Sequence, residues 1–248
     1  MIYCYDIMWT KIDYFFEKNK GFYLFLLLLL PVSQYGRTNK LEKDIMKTIS
    51  FNKVWLTGNE KNYITQALSE GKTCGNGNFT HKCQSFFEEK LGSCKCLLTT
   101  SCTDALEMCA MLAGIQPGDE VIVPSYTFVS TALAFVRQGA RIVFADSRMD
   151  NPCIDEQKLE ALVTPRTRAI VPVHYAGIAC DMDVILAVAE RHNLLVIEDA
   201  AQAIDSFYKG RPLGSIGHLA AFSFHETKNI QCGEGGLLAI NDPRFVKR

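Results

Sequence analysis

Beyond about residue 90 the chain alternates between short apolar runs and amphipathic stretches. The runs at 120–124, 141–145, 169–173, 194–198, 219–224 and 236–240 are rich in Val, Ile, Leu and Ala, and they predict strands. Between several of them the apolar spacing changes to that of a helix. Over 104–112, Ala105, Met108, Cys109 and Leu112 fall on one face. Asp155 is placed to cap a second helix, "DEQKLEALV", and Asp181 or Asp183 a third, "DMDVILAVAERHN". Strand, helix and strand repeating in this way predict an α/β fold, a mostly parallel sheet with helices on both faces. Ligands of such sheets collect at the carboxyl ends of the strands, so the residues just after each run carry the functional question.

Five strand ends hold candidate chemistry. After "CLLT" the chain reads "TSCTDALEM", where Cys102 and Thr103 open a helix whose first N–H groups can hold a phosphate. Capping alone also explains Thr103. After "VIVP" the segment "SYTFVST" brings Tyr126 and Phe128, rings that either join the core or cover one face of a planar ligand. After "AIVPV" comes His174, which is a base, a ring contact or a satisfied core histidine. After "LLVIE" comes "DAAQA": Asp199 either caps a helix or holds a cationic ring nitrogen, and Gln202 follows it by three. After "LAAFSF" comes "HETK". Lysine is seldom buried unless used or paired, and Lys228, five residues beyond Ser223, is placed to form a Schiff base with an aldehyde. A phosphate site, a ring cover, an anion for a ring nitrogen and a lysine for an aldehyde together match the needs of pyridoxal 5'-phosphate (PLP).

The bulk numbers narrow the partners. The 248 residues suffice for one large α/β domain or two smaller ones. The formal net charge of −1 argues against nucleic acid or an anionic membrane as partner. The ten cysteines form no CxxC pair, so they read as scattered thiols of a reducing cytoplasm and not as a disulfide framework or a metal site. Residues 1–45 differ from the rest. Their run "GFYLFLLLLLPV" is about half the length a spanning helix needs. The segment is expected to be a disordered extension or an over-extended reading frame ahead of Met46, with 46–248 as the functional domain.

The stretches "GKTCGNGNFTHKCQ", "LLTTSCTDALEM", "IQPGDEVIVPSYTFVSTA", "VPVHYAGIACDMD", "VIEDAAQAIDSFYKGRPLG" and "FSFHETKNIQCGEGG" make residues 46–248 resemble the DegT/DnrJ/EryC1/StrS sugar aminotransferases. The resemblance implies the large domain of the fold type I, aspartate-aminotransferase-like PLP enzymes, without the family's smaller C-terminal domain. It implies that Lys228 is the catalytic lysine that bonds the cofactor aldehyde. Asp199 would pair with the pyridine nitrogen and Gln202 with the ring oxygen, while Phe128 stacks on the ring. Ser223 and the Cys102–Thr103 backbone would hold the phosphate, and His174 and Glu234 would contact substrate. The partners implied are L-glutamate as amine donor, a dTDP-linked 4-keto sugar as acceptor, and a second copy of the chain in a homodimer or larger homo-oligomer. The competing expectations are an inactive fragment of such an enzyme and a sister enzyme for a UDP-linked 4-keto sugar. A P-loop reading of "EGKTCGNGN" fails because Gln66 stands where its first glycine is needed, and "GNGNFT" supplies too few glycines for a dinucleotide fingerprint.

Overall fold

A computed structural model describes residues 51–53, 56–71 and 74–248. The expectation for residues 1–45 lies outside them. Two helices, α1 (Glu60–Ser69) and α2 (Asn78–Leu91), lead into the sheet. Then follow β1 (Lys95–Thr99), α3 (Cys102–Leu112), β2 (Glu120–Pro124), α4 (Ser130–Val136) and β3 (Arg141–Ala145). After them come α5 (Leu159–Leu162), β4 (Thr167–Ile170), α6 (Met182–His192) and β5 (Leu195–Asp199). A small hairpin, β6 (Phe207–Tyr208) and β7 (Arg211–Pro212), precedes β8 (Leu219–Ser223) and β9 (Gly236–Ile240).

Seven strands form one sheet in the order β1-β9-β8-β5-β4-β2-β3. Strands β3, β2, β4, β5 and β8 pair in parallel, and β9 runs antiparallel to both β8 and β1. Every residue of β2, β8 and β9 is buried, as expected for strands covered on both faces. Alternate side chains separate into two cores. Val196, Ala220, Phe222, Leu237 and Ala239 pack on the face covered by Met182 and Ile185 of α6. Ile197, Leu219, Ala221 and Leu238 pack on the opposite face, against Ala105, Leu106 and Cys109 of α3 and Ala134 of α4. Among the described residues no helix is long and apolar enough to cross a membrane.

Three expectations change in detail. The strand expected at 169–173 occupies Thr167–Ile170, because Pro172 has no N–H to continue the ladder; pairing resumes only as a single bridge between Val173 and Asp199. The helix expected at 104–112 starts at Cys102, capped by Ser101, whose hydroxyl oxygen accepts from the Asp104 N–H. Thr103 is not the cap; its hydroxyl pairs with that of Ser130 at 2.7 Å. Leu106 and Ala110 of that helix are buried besides Ala105 and Cys109, because α3 packs against α4 as well as the sheet. Of the two candidate caps for α6, Asp181 is the one used, accepting from the Val184 N–H.

Candidate active site

The site is built at the carboxyl ends of the parallel strands. Glu198 and Asp199 end β5 and point to opposite faces by simple strand alternation. Asp199 shares the face of α3 and α4 and is 4% exposed. Its Oδ2 accepts a hydrogen bond from Thr131 Oγ1 at 2.6 Å, and its Oδ1 accepts one from the Ala201 N–H at 3.2 Å. Burial pushes its carboxyl above the usual range, and these two hydrogen bonds, with the charge of Lys228, oppose the rise without cancelling it.

Ser223 ends β8 on that same face, level with Gly236 of β9, which is in turn level with Thr99 of β1. Only glycine fits at 236: a Cβ there would lie 2.4 Å from the Ser101 carbonyl and 2.5 Å from the Cys102 nitrogen. The missing side chain lets the N-terminus of α3 approach Ser223. Gly236 thus has Ser223 level with it in the sheet and the N-terminus of α3, with the positive end of its dipole, at its missing side chain, a donor set suited to a phosphate. Loss of water around its sulfur, then the charge of Asp199, push the Cys102 thiol well above its usual range, while Lys228 opposes.

Lys228 follows β8 in a turn closed by its own N–H to the His225 carbonyl at 2.9 Å. It is half-buried, and among the described residues no carboxylate lies within ion-pair distance of its amine. It leaves the sheet on β8, the strand paired with β5, where Ala221 is level with Asp199. Phe128 stands in the loop after β2, 64% exposed and free to cover a ligand. Gln202 accepts the Ala176 N–H on its amide oxygen at 2.8 Å, which leaves its NH2 as a donor for a ring oxygen. Glu234 is exposed, with its Oε1 3.5 Å from His225 Nε2 on the Lys228 loop. A buried anion, an amine, an exposed aromatic face and N–H donors at a helix end match the polar groups of PLP in kind and number.

A family model, the DegT/DnrJ/EryC1/StrS aminotransferase family, matches residues 55–248. The chain belongs to that family. Over 185 residues it is 46% identical to the spore coat polysaccharide biosynthesis protein SpsC of Bacillus subtilis, covering 75% of this chain and 47% of that protein. Over 187 residues it is 44% identical to GDP-perosamine synthase of Caulobacter vibrioides, covering 75% of this chain and 50% of that protein. A Streptococcus pneumoniae protein assigned as a sugar aminotransferase, solved in its PLP form, superposes with a TM-score of 0.74 at 30% identity over 80% of this chain and 54% of that one. The chain thus spans about half the length of the curated relatives it matches. The sugar aminotransferase fold and PLP as cofactor follow from this membership.

His174 is placed unlike the other candidates. His174 is wholly buried, and both its ring nitrogens are engaged: Nδ1 accepts the Cys180 N–H at 3.3 Å, and Nε2 lies 2.8 Å from Glu198 Oε2. Because Nδ1 accepts, the ring proton sits on Nε2 and is donated to Glu198. His174 is a core histidine with no nitrogen left for substrate. Two residues escaped sequence reasoning. Glu198 also accepts the N–H groups of Gly214, Ile216 and Gly217 at 2.6–2.8 Å. Burial opposes its charge, but the bonds from His174, Gly217 and Gly214 prevail and hold its carboxyl below the usual range. Thr131 is the other, and only its 2.6 Å bond to Asp199, across 68 residues of sequence, distinguishes it from any buried threonine.

Proposed function

We propose that this chain carries the cofactor half-site of a PLP-dependent aminotransferase that moves an amino group from L-glutamate to C4 of a nucleotide-linked 4-keto-6-deoxyhexose. When bound, PLP supplies an aldehyde that takes up the amino group and a cationic ring that draws electrons from the carbon being deprotonated. Lys228 holds the aldehyde through its amine. The Lys228 amine would also serve as the base that takes the proton from the amino donor's Cα. Asp199 keeps the ring nitrogen protonated, and Gln202 donates to the ring oxygen. Phe128 covers the ring, and Ser223 with the α3 N-terminus neutralises the phosphate. Glu234, exposed at the rim, contacts the acceptor. The observation that carries this reading is that Asp199 ends β5 beside β8, whose own end runs through Ser223 to Lys228, while α3 starts against Gly236, the sheet partner of Ser223.

The acceptor proposed is dTDP-4-dehydro-6-deoxy-D-glucose, giving dTDP-4-amino-4,6-dideoxy-D-galactose for enterobacterial common antigen or another surface polysaccharide. The reaction is placed in the cytoplasm and in a homodimer or larger homo-oligomer. The similarity to a GDP-perosamine synthase makes a GDP-linked sugar a second candidate beside a UDP-linked one. The test has two parts. Wild-type protein mixed with PLP acquires a visible absorbance band and a borohydride-fixed adduct at residue 228, and Lys228→Ala acquires neither; a fixed adduct elsewhere overturns the assignment. Glutamate-dependent amination of dTDP-, GDP- and UDP-linked 4-keto sugars is then compared, and a preference for either of the latter two overturns the dTDP acceptor.

A further inference from the structure

Asp199 is oriented by something other than charge. Its Oδ2 takes a 2.6 Å hydrogen bond from Thr131 Oγ1, and Thr131 is wholly buried in the first turn of α4. The Thr131 hydroxyl also lies 2.7 Å from Thr127 Oγ1. An ionised carboxylate only accepts, so the single hydroxyl proton of Thr131 goes to Asp199, and Thr127 must donate to Thr131. The three groups form a relay that runs one way, Thr127 to Thr131 to Asp199. Phe128 lies within the same segment, residues 127–131, with its ring exposed.

We propose that Thr131 is a positioning residue that keeps Asp199 ionised and aims it at the cofactor ring nitrogen, from the same short segment that offers Phe128 to the ring face. The proposal rests on the PLP reading above. One short segment thereby sets both the end and the face of the ring. The chemistry requires such a device. A carboxylate enclosed at the end of β5 without hydrogen-bond donors would take up a proton, and a neutral acid is a poor partner for a pyridinium. Charge-assisted hydrogen bonds are the stronger kind and offset that cost locally. The other groups near Asp199 are the Ala201 N–H, Lys228 and the thiols of Cys102 and Cys109, with His174 held by Glu198 on the opposite face of β5. None of them changes when Thr131 is replaced by an isosteric valine.

The experiment follows the Asp199 carboxyl directly. Isotope-edited infrared titration of aspartate-labelled, cofactor-free protein, with Asp199→Asn as the blank, reads its protonation without any cofactor. Thr131→Val is expected to raise the proton affinity of Asp199 about tenfold, the worth of one charge-assisted hydrogen bond, and Thr131→Ser to leave it at the wild-type value. PLP binding to Thr131→Val should weaken by less than that factor at neutral pH. The deficit should grow as pH falls, because a carboxyl that binds protons more tightly is neutral over more of the range. An unchanged Asp199 midpoint in Thr131→Val overturns the proposal, as does Thr131→Ser shifting as far as Thr131→Val. Should Thr131→Val fail to fold, Thr127→Val removes the upstream donor and is expected to give a smaller upward shift; no shift overturns the relay. The two levels separate cleanly. An unaltered titration with normal PLP uptake overturns only the role of Thr131, whereas wild-type protein that takes up no PLP overturns the cofactor reading beneath it.

Discussion

Glu198 and Asp199 are adjacent on β5, yet the fold drives their acidities in opposite directions. Glu198 faces the α6 side and accepts three backbone N–H groups and the His174 ring. Asp199 faces the α3–α4 side and accepts from one hydroxyl and one N–H. Donor number on each face decides whether burial is overcome. The first carboxylate braces the fold, and the second is held at a cost to stability that a cationic ligand can relieve.

Their pH dependences therefore have opposite signs. Glu198, lowered in the fold, contributes stability that is present above its unfolded value near 4 and is lost as pH falls through its lower folded value. Asp199, raised in the fold, lowers the stability of the cofactor-free protein as pH climbs from its unfolded value through its folded one. Glu198→Gln should destabilise by about 2–3 kcal/mol at neutral pH, since an amide cannot accept all four bonds. Asp199→Asn should raise the melting temperature of cofactor-free protein by about 2–4 °C while weakening PLP retention. Thermal melts from pH 3 to 8 check both. Equal slopes for the two variants would contradict the assignment.

Gly236→Ala probes the approach of α3 to the sheet. The added Cβ meets backbone of Ser101 and Cys102, which cannot rotate away as a side chain would. The expected loss is about 1–3 kcal/mol of stability, with a displaced helix N-terminus and weaker retention of inorganic phosphate and PLP. Denaturant unfolding and phosphate titration measure the two effects separately.

Phe128→Ala should separate binding from folding. The exposed ring contributes little to the core, so stability is expected to change by no more than about 0.5 kcal/mol. PLP affinity should fall about tenfold, the order of magnitude of one stacked aromatic contact. Loss of stability without loss of affinity would make Phe128 a packing residue.

His174→Ala should behave as a core lesion. It leaves Glu198 short of one donor and the Cys180 N–H without its acceptor. A cost of about 2–4 kcal/mol in thermal or denaturant unfolding is expected, with the KM for the sugar acceptor unaltered in whatever fraction remains folded. A selective rise in KM at wild-type stability would return His174 to the substrate site.

Local chemistry made much of this legible in one dimension. Near-continuous apolar runs mark β2, β8 and β9 because both faces of those strands are buried. The spacing of Ser223 to Lys228 and of Asp199 to Gln202 is visible because each pair lies within a single strand end and its loop. What the chain could not disclose is pairing across distance. His174 offers the same residue type whether it meets substrate or Glu198, and only packing of the 174–180 loop against β5 engages both its nitrogens. Thr131 and Asp199 are separated by 68 residues, so their hydrogen bond exists only after β2 and β5 take their places on either side of β4. Residue types and local periodicity set which groups are present at each strand end. The order of strands in the sheet sets which of them meet, because hydrogen bonds and burial act over a few ångströms of space and not along the chain.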